Sequence, residues 1–232
     1  MQSLVAHPGL APSREVIDVL GRAAVFSALS GRGLQAAALH AEIRLHRRHD
    51  ELWREGDPAQ DVIVVLAGRI QCSVHGRGGR GWVRDVLRPG GVCGLVALVD
   101  GGAHTCATEA LETSRVLHVA VAPLRNLLES ESGFAFQVAR NIARDLRHAI
   151  ESCSRLALLS PLERLAEYLI ENADGGGTVR LRETQGQLAA QLGTVREVVG
   201  RAFRRLEVDG LVTRRGRTVR IADRDALERL AR

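Results

Sequence analysis

Apolar positions follow three successive rhythms along the chain. Between about residues 42 and 122 they come in short runs, Asp61 to Leu66, Ile70 to Val74, Val83 to Leu87 and Val116 to Val121. Turn signals separate them at Gly68, in a Gly-Arg region at 76–81 and at Pro89-Gly90-Gly91. Short, evenly spaced runs rich in β-branched residues predict an all-β barrel or sandwich. The segment ahead of them, about 14–40, is rich in Ala and Leu and predicts short helices. From Pro123 to about Ser154 the only glycine is Gly133, and Val138, Ile142, Leu146, Ala149, Cys153 and Leu156 recur at steps of three and four. That spacing predicts one long amphipathic helix. Its narrow stripe suits pairing with a second copy; the alternative is that it packs on its own β-domain. Ser160-Pro161 breaks the helix, because proline fits a first turn and not an interior. Leu162 to Ile170 begins another helix, closed by the turn Asp174-Gly175-Gly176-Gly177.

The third rhythm belongs to residues 183–210. Thr184 is placed to cap a helix containing Leu188, Ala189 and Leu192, and Gly193 to end it where a positive φ is needed. Thr194 then caps a second helix with an apolar face of Val195, Val199, Ala202, Phe203 and Leu206. Two helices crossing tightly need a small residue at the contact, a glycine in the turn and an aliphatic residue beyond it, and Ala189, Gly193 and Val199 fill those places. This is a helix-turn-helix pattern, whose second helix offers its N-terminal residues to base edges. Arg196, Glu197 and Arg201 lie off its apolar face. Arginine donates two hydrogen bonds to guanine and glutamate accepts one from cytosine; the plainer reading is an exposed Glu197–Arg201 ion pair at four-residue spacing. Leu211 to Thr213, the turn Arg214-Arg215-Gly216-Arg217 and Thr218 to Ile221 form a basic hairpin. A winged helix-turn-helix follows, with Arg215 and Arg217 placed for phosphate contacts.

Charge agrees with that reading. Of the formal net charge of +5, residues 1–177 contribute −1 (19 Arg against 20 acidic residues) and residues 178–232 contribute +6 (13 Arg against 7). A basic C-terminal piece on a near-neutral body is the footprint of a polyanion-binding module. The 232 residues, 45% hydrophobic and 25% charged, fit one or two globular domains. No run approaches the roughly 18 apolar residues of a membrane span, and no export signal opens the chain, so a cytoplasmic protein with no membrane partner is expected. Cys72, Cys93, Cys106 and Cys153 lie far apart without a Cys-x-x-Cys pair. Reduced, mostly buried thiols are therefore expected, with neither a disulfide framework nor a clustered metal site. Nucleophile-elbow, phosphate-loop and His-Glu-x-x-His patterns do not occur, so no enzyme is expected and catalytic residues are assigned to none.

Glu55-Gly56-Asp57-Pro58-Ala59 followed by Val64-Val65-Leu66-Ala67-Gly68-Arg69, then Leu87-Arg88-Pro89-Gly90 and Ala97-Leu98-Val99-Asp100-Gly101, resemble the signature of a cyclic-nucleotide-binding β-roll. Gly193-Thr194-Val195-Arg196-Glu197-Val198-Val199-Gly200-Arg201 is similar to the recognition helix of the CRP/FNR superfamily of bacterial transcription regulators, and the order of parts resembles that family over almost the whole chain. The resemblance implies an α+β fold with a β-roll and N-terminal helices at 1–122, a dimerisation helix at 123–159 and a winged helix-turn-helix at 160–232. It also implies a homodimer that binds a two-fold symmetric double-stranded DNA operator, acts on RNA polymerase and regulates transcription, with Thr194, Arg196, Glu197, Arg201, Arg215 and Arg217 as the DNA-contacting set.

The effector pocket departs from the family pattern. Members that bind cyclic AMP place a glutamate on the ribose and an arginine on the cyclic phosphate; here Gly94-Leu95-Val96 and His104-Thr105-Cys106 stand in those places. Leu95 accepts no hydrogen bond, and a histidine near its reference pKa supplies no permanent countercharge. One lost charged pairing costs on the order of 1.5–3 kcal/mol, and two together about a thousandfold in affinity. Cyclic AMP in the usual pose is not expected. An iron–sulfur cluster of the N-terminal type is not expected either, since no cysteine precedes Cys72. Haem ligated by His104, His75, His118 or a cysteine, and thiol oxidation at Cys106 or Cys93, stay open, as does a protein-binding adaptor that no longer reads DNA.

Overall fold

A computed structural model describes residues 12–76 and 81–231; most of the turn expected at 76–81 lies outside them. The described residues form two compact units. The first runs up to Val74 and resumes over Asp85–His148; the second comprises the described part of His75–Arg84 and Ala149 onward. The division falls inside the long helix.

The first unit opens with helices α1 (Arg14–Arg22) and α2 (Gly31–Ala38). Strands follow at β1 (Ala41–His46), β2 (Glu51–Trp53), β3 (Asp61–Ala67), β4 (Ile70–His75), β5 (Gly81–Leu87) and β6 (Val92–Cys93). After the one-and-a-half-turn α3 (Leu95–Asp100) come β7 (Ala107–Ala110) and β8 (Ser114–Ala120), then α4 (Val121–Ser130) and α5 (Ser132–Leu158). Two antiparallel four-stranded sheets, in the orders β1-β8-β3-β6 and β2-β7-β4-β5, form the β-body. Strand β3 is buried over Val62, Ile63, Val64 and Val65, and consecutive side chains of a strand point to opposite faces. Val62 and Val64 accordingly join the core under the helices with Phe26, Leu117 and Leu124, while Ile63 and Val65 join a second core with Trp53, Ile70 and Cys72.

The single helix expected from Pro123 is two. The chain breaks at Glu131, whose extended backbone closes α4 and whose carboxylate accepts 2.6 Å hydrogen bonds from both Ser30 N and Ser30 Oγ at the start of α2. Those contacts hold the Glu131 carboxyl below the usual carboxylate range. A helical residue 131 would carry that carboxylate elsewhere, so tertiary capping overrides the sequence periodicity.

Helix α5 has 27 residues, roughly 40 Å at 1.5 Å per residue. The stripe read from the sequence divides between two faces. Val138 is buried and Ile142 packs on the helix-side core, while Leu146 and Cys153 are exposed. The outward seam is instead Phe136, Ala139, Ala143, Leu146, Ile150, Cys153 and Ala157, all exposed. Its alternating steps of three and four form an a/d heptad without interruption.

In the second unit α6 (Pro161–Glu171) begins with the expected stop and restart. Ser160 Oγ accepts from Glu163 N at 3.3 Å and Ser160 N donates to Glu163 Oε2 at 2.5 Å, a reciprocal capping box with proline in the first turn. Asp174 Oδ1 accepts from Gly176 N and Thr178 N and turns the chain into β9 (Thr178–Arg180), a strand the sequence pattern did not show. Helices α7 (Gln185–Gln191) and α8 (Arg196–Val208), the hairpin β10 (Val212–Arg215) and β11 (Thr218–Ile221), and α9 (Arg224–Leu230) complete it. The sheet order is β10-β11-β9, and Leu165, Leu169, Leu188, Phe203, Leu206 and Leu227 are among the core residues.

Candidate nucleic-acid interface and effector pocket

The helix-turn-helix is assembled much as its residues dictate. Thr184 Oγ1 accepts from Gln187 N and Thr184 N donates to Gln187 Oε1, so α7 starts with a second capping box. Gly193 takes φ +60°, and a Cβ there would stand 2.3 Å from Leu156 Cδ2, so both backbone and space demand glycine. Ala189, Val199, Ala202, Phe203 and Leu206 are buried, as expected. Two details differ. Val195, not Thr194, occupies the N-cap of α8, and no side chain caps that end; Thr194 N is turned back onto Ala189 O at 2.9 Å. Val195 is 38% exposed and so leaves the apolar face.

Arg196, Glu197 and Arg201 are all exposed on the first two turns of α8. Among the described residues no ion pair joins Glu197 to Arg201, whereas Arg205 is tied to Asp209 at 2.8 Å. The three side chains are therefore held by neither core nor neighbour. On the wing, Arg215 and Arg217 flank the turn residue Gly216 and are exposed. Arg214 is different: its guanidinium carbon lies 4.6 Å from the centre of the Phe203 ring, a cation–π contact that fixes the wing to α8.

Sequence reasoning missed Arg164. It is 9% exposed and donates from Nε to Leu192 O at 2.8 Å, and from one terminal nitrogen to Leu159 O at 2.5 Å and Leu156 O at 3.3 Å. These carbonyls end α5 and α7, where helices present unpaired acceptors and a partial negative charge. One arginine thus joins the long helix to the helix-turn-helix, and nothing in its sequence context marks it.

In the β-body the structure places the five expected pocket residues unevenly. Gly94 takes φ +101°, and a Cβ there would meet Asp61 O at 2.9 Å, so this turn cannot hold another residue without moving β3. Leu95 is 3% exposed and packs in the core under the helices, apart from the others. Thr105 is exposed. His104 and Cys106 do come together, around Trp53. The His104 ring stacks on the Trp53 indole with centroids 3.9 Å apart and planes 5° from parallel, and Trp53 Nε1 donates to Cys106 O at 3.0 Å. Burial holds the His104 imidazole below the ordinary histidine range, so the ring is neutral at pH 7.

His118, a second candidate haem ligand, has both ring nitrogens engaged, Nδ1 with Asp61 Oδ2 and Nε2 with His46 Nε2, each at 3.0 Å. Burial, and next the proximity of His118, pushes the His46 pKa down to about 4. The thiols correct the reading of scattered cysteines. Cys72, Cys93 and Cys106 converge inside the β-body with their sulfurs within 4.8 Å of one another, while Cys153 alone is exposed. Contacts with the sulfurs of Cys106 and Cys93, and then burial, hold the Cys72 thiol well above its usual range.

Both halves match known families. The cyclic nucleotide-binding domain pattern covers residues 43–131 and the Crp-like helix-turn-helix domain pattern covers residues 163–230. A CRP-like cAMP-activated global transcriptional regulator of Mycobacterium tuberculosis is 23% identical over 222 residues, covering 93% of this chain and 99% of that protein. The cyclic AMP receptor protein of Thermus thermophilus is 25% identical over 207 residues, covering 89% and 96%. Among solved structures, FixK2 from Bradyrhizobium japonicum is 28% identical with a TM-score of 0.65, covering 83% of this chain and 98% of that one. A transcriptional regulator of the crp/fnr family from Eubacterium rectale shares the fold at a TM-score of 0.77 and 17% identity, covering 89% and 97%. Relatives of this kind regulate transcription and are not enzymes. With a cyclic-nucleotide-binding-type body, a long helix and an intact winged helix-turn-helix, the chain belongs to the CRP/FNR superfamily as a DNA-binding transcription regulator.

Proposed function

We propose that the protein acts in the cytoplasm as a homodimer that reads a palindromic DNA operator and engages RNA polymerase, and that cyclic AMP in the usual pose is not its effector. The observation that carries the DNA reading is the exposed set Arg196, Glu197 and Arg201 at the start of α8, clear of the core and of intrahelical ion pairs. Helix α8 enters the major groove; the two arginines read guanines and Glu197 reads a cytosine. Thr194, Arg215 and Arg217 touch phosphates, which set register and carry no base information. Dimerisation rests on the exposed heptad seam of α5. No helix among the described residues is long and apolar enough to cross a membrane.

A binding-site selection on random duplexes tests the assignment. The selected motif resembles the family's G-T-G-A half-site repeated as an inverted palindrome, with half-site centres spaced by about one turn or a multiple of it, one turn being roughly 10–10.5 bp. Arg201→Ala loses about 1–3 kcal/mol per half-site and relaxes preference at one guanine. Arg215→Ala instead weakens all sequences alike and shallows the salt dependence. An unchanged motif with Arg201→Ala refutes the base-reading assignment.

The effector half of the proposal rests on Leu95 and His104. The first is packed in a core and the second is neutral and stacked, so neither meets a ribose hydroxyl or a cyclic phosphate as glutamate and arginine would. Titration calorimetry with cyclic AMP is expected to give no heat of binding at micromolar concentrations, and operator affinity is expected not to change when the nucleotide is added. Micromolar binding overturns this half while leaving the DNA reading standing.

A further inference from the structure

We propose that Cys72, Cys93 and Cys106 form a three-thiol site for a trivalent metalloid of the arsenite class. Cys72 lies on β4 and Cys106 just before β7 of one sheet, while Cys93 lies on β6 of the other. The sulfur of Cys93 is 3.9 Å from that of Cys72 and 3.9 Å from that of Cys106, and all three sulfurs lie within 4.8 Å. A single soft ion placed among them reaches every sulfur, and thiolate donors select soft centres.

The surroundings choose the charge. The three cysteines are 0%, 7% and 1% exposed, within a core of Trp53, Ile63, Val65, Ile70, Leu87 and Val116. An apolar wall penalises net charge. Three thiolates carry −3, so a monovalent ion leaves −2 and a divalent ion −1, while a trivalent centre leaves none. Ligand number agrees. Structural zinc takes four ligands, whereas among the described residues this group holds three donor atoms. A trivalent metalloid is satisfied by three, because its lone pair occupies the fourth direction.

Thr108 supplies an independent observation. It is fully buried, and its Oγ1 has no hydrogen-bond partner among the described residues. It stands directly opposite Cys72 in the β4–β7 ladder, so the two side chains share one face of the sheet. Side chains paired across strands come within contact of one another. An orphaned hydroxyl in a core is expensive, and loss of the thiol protons leaves electron-rich sulfur that accepts its hydrogen bond.

The chemistry closes without an oxidant. Arsenous acid is a neutral molecule at pH 7. Each of its three As–O bonds is exchanged for an As–S bond, and each thiol proton leaves with the departing hydroxyl as water: As(OH)3 plus three thiols gives the tris-thiolate and three waters.

The test is to titrate the reduced, full-length protein with sodium arsenite, follow sulfur-to-arsenic absorption in the ultraviolet and weigh the product by native mass spectrometry. One arsenic per chain is expected, with a mass gain of arsenic less three hydrogens, the mark of three sulfurs bound. Cys72→Ala, Cys93→Ala and Cys106→Ala are each expected to weaken binding by about 100-fold or more, since each added link is intramolecular. Cys153→Ala is expected to leave it unchanged. A mass gain that retains a hydroxyl, no stoichiometric uptake, dependence on Cys153, or displacement by an equal concentration of zinc overturns the proposal. The wild-type mass decides the matter even if a core variant fails to fold.

Discussion

Ile150→Glu is expected to leave a folded monomer that no longer holds a palindromic operator. Ile150 is 57% exposed on α5, between Leu146 and Cys153 in the outward heptad. In a pair of helices it becomes a knob buried against the second copy, and symmetry places two carboxylates in one apolar seam. Each uncompensated charge costs several kcal/mol. A monomer keeps one half-site, so the gain from linking two recognition helices is lost, about 100-fold or more in operator affinity. Sedimentation velocity at micromolar concentration, with a gel shift on the same sample, measures both effects. Mild oxidation supplies an orientation check: Cys153, exposed and on the seam, is expected to join two chains of the wild type, and Cys153→Ser is not. Wild-type protein sedimenting as a monomer, or a dimeric Ile150→Glu variant, defeats the seam assignment.

The second large effect is on stability. Arg164→Met keeps most of the side-chain volume but removes the donors from Leu192 O, Leu159 O and Leu156 O. Hydrogen bonds from a charged group contribute about 1.5–3 kcal/mol each and do not add fully, so a loss of about 3–5 kcal/mol is expected. For a unit of this size that lowers the melting temperature by about 10 °C or more. Differential scanning calorimetry is expected to show the transition of the second unit moving down and that of the first staying in place. Arg164→Lys restores part of the loss at best, because one ammonium does not span three carbonyls that the planar fork reaches together. A melting profile matching the wild type means that these carbonyls are satisfied without the arginine.

The parts of the fold that were legible in the sequence are those fixed by local chemistry. The cap at Thr184, the stop and restart at Ser160-Pro161, the positive-φ glycine at 193 and the period of α8 act within a few residues of themselves, and the structure shows each of them, whereas the cap expected at Thr194 falls to Val195. The charge division located the DNA-binding end for the same reason, since charge is counted and not folded. What was not legible depends on distant residues. The break at Glu131 exists because Ser30 receives its carboxylate. The heptad face of α5 could not be told from its inner face, because alanines at 139, 143 and 157 carry little hydrophobic signal and which side of the helix the β-body covers is a tertiary fact. Cysteines spaced by 13 and 21 positions give no metal pattern, yet strands of two sheets carry them to one point. Arg164 reads as a surface arginine on an amphipathic helix until the ends of α5 and α7 arrive beside it.

The pairing of β1 with β8 bears on how the chain comes off the ribosome. Ala41 pairs with Val119 and His46 with Ser114, so β1 finds its partner only after every intervening strand has been made. Closing so long a loop is entropically slow, and until then β1 presents unpaired backbone groups and Ile43, which packs on the helix-side core in the finished fold. The second unit combines neighbouring pairs, α7 with α8 and β10 with β11, with longer-range ones, α6 with α8 and α9 and β9 with β11, and its neighbouring pairs are the first that can form. In a growing chain, the vulnerable interval for aggregation falls before residue 119 emerges.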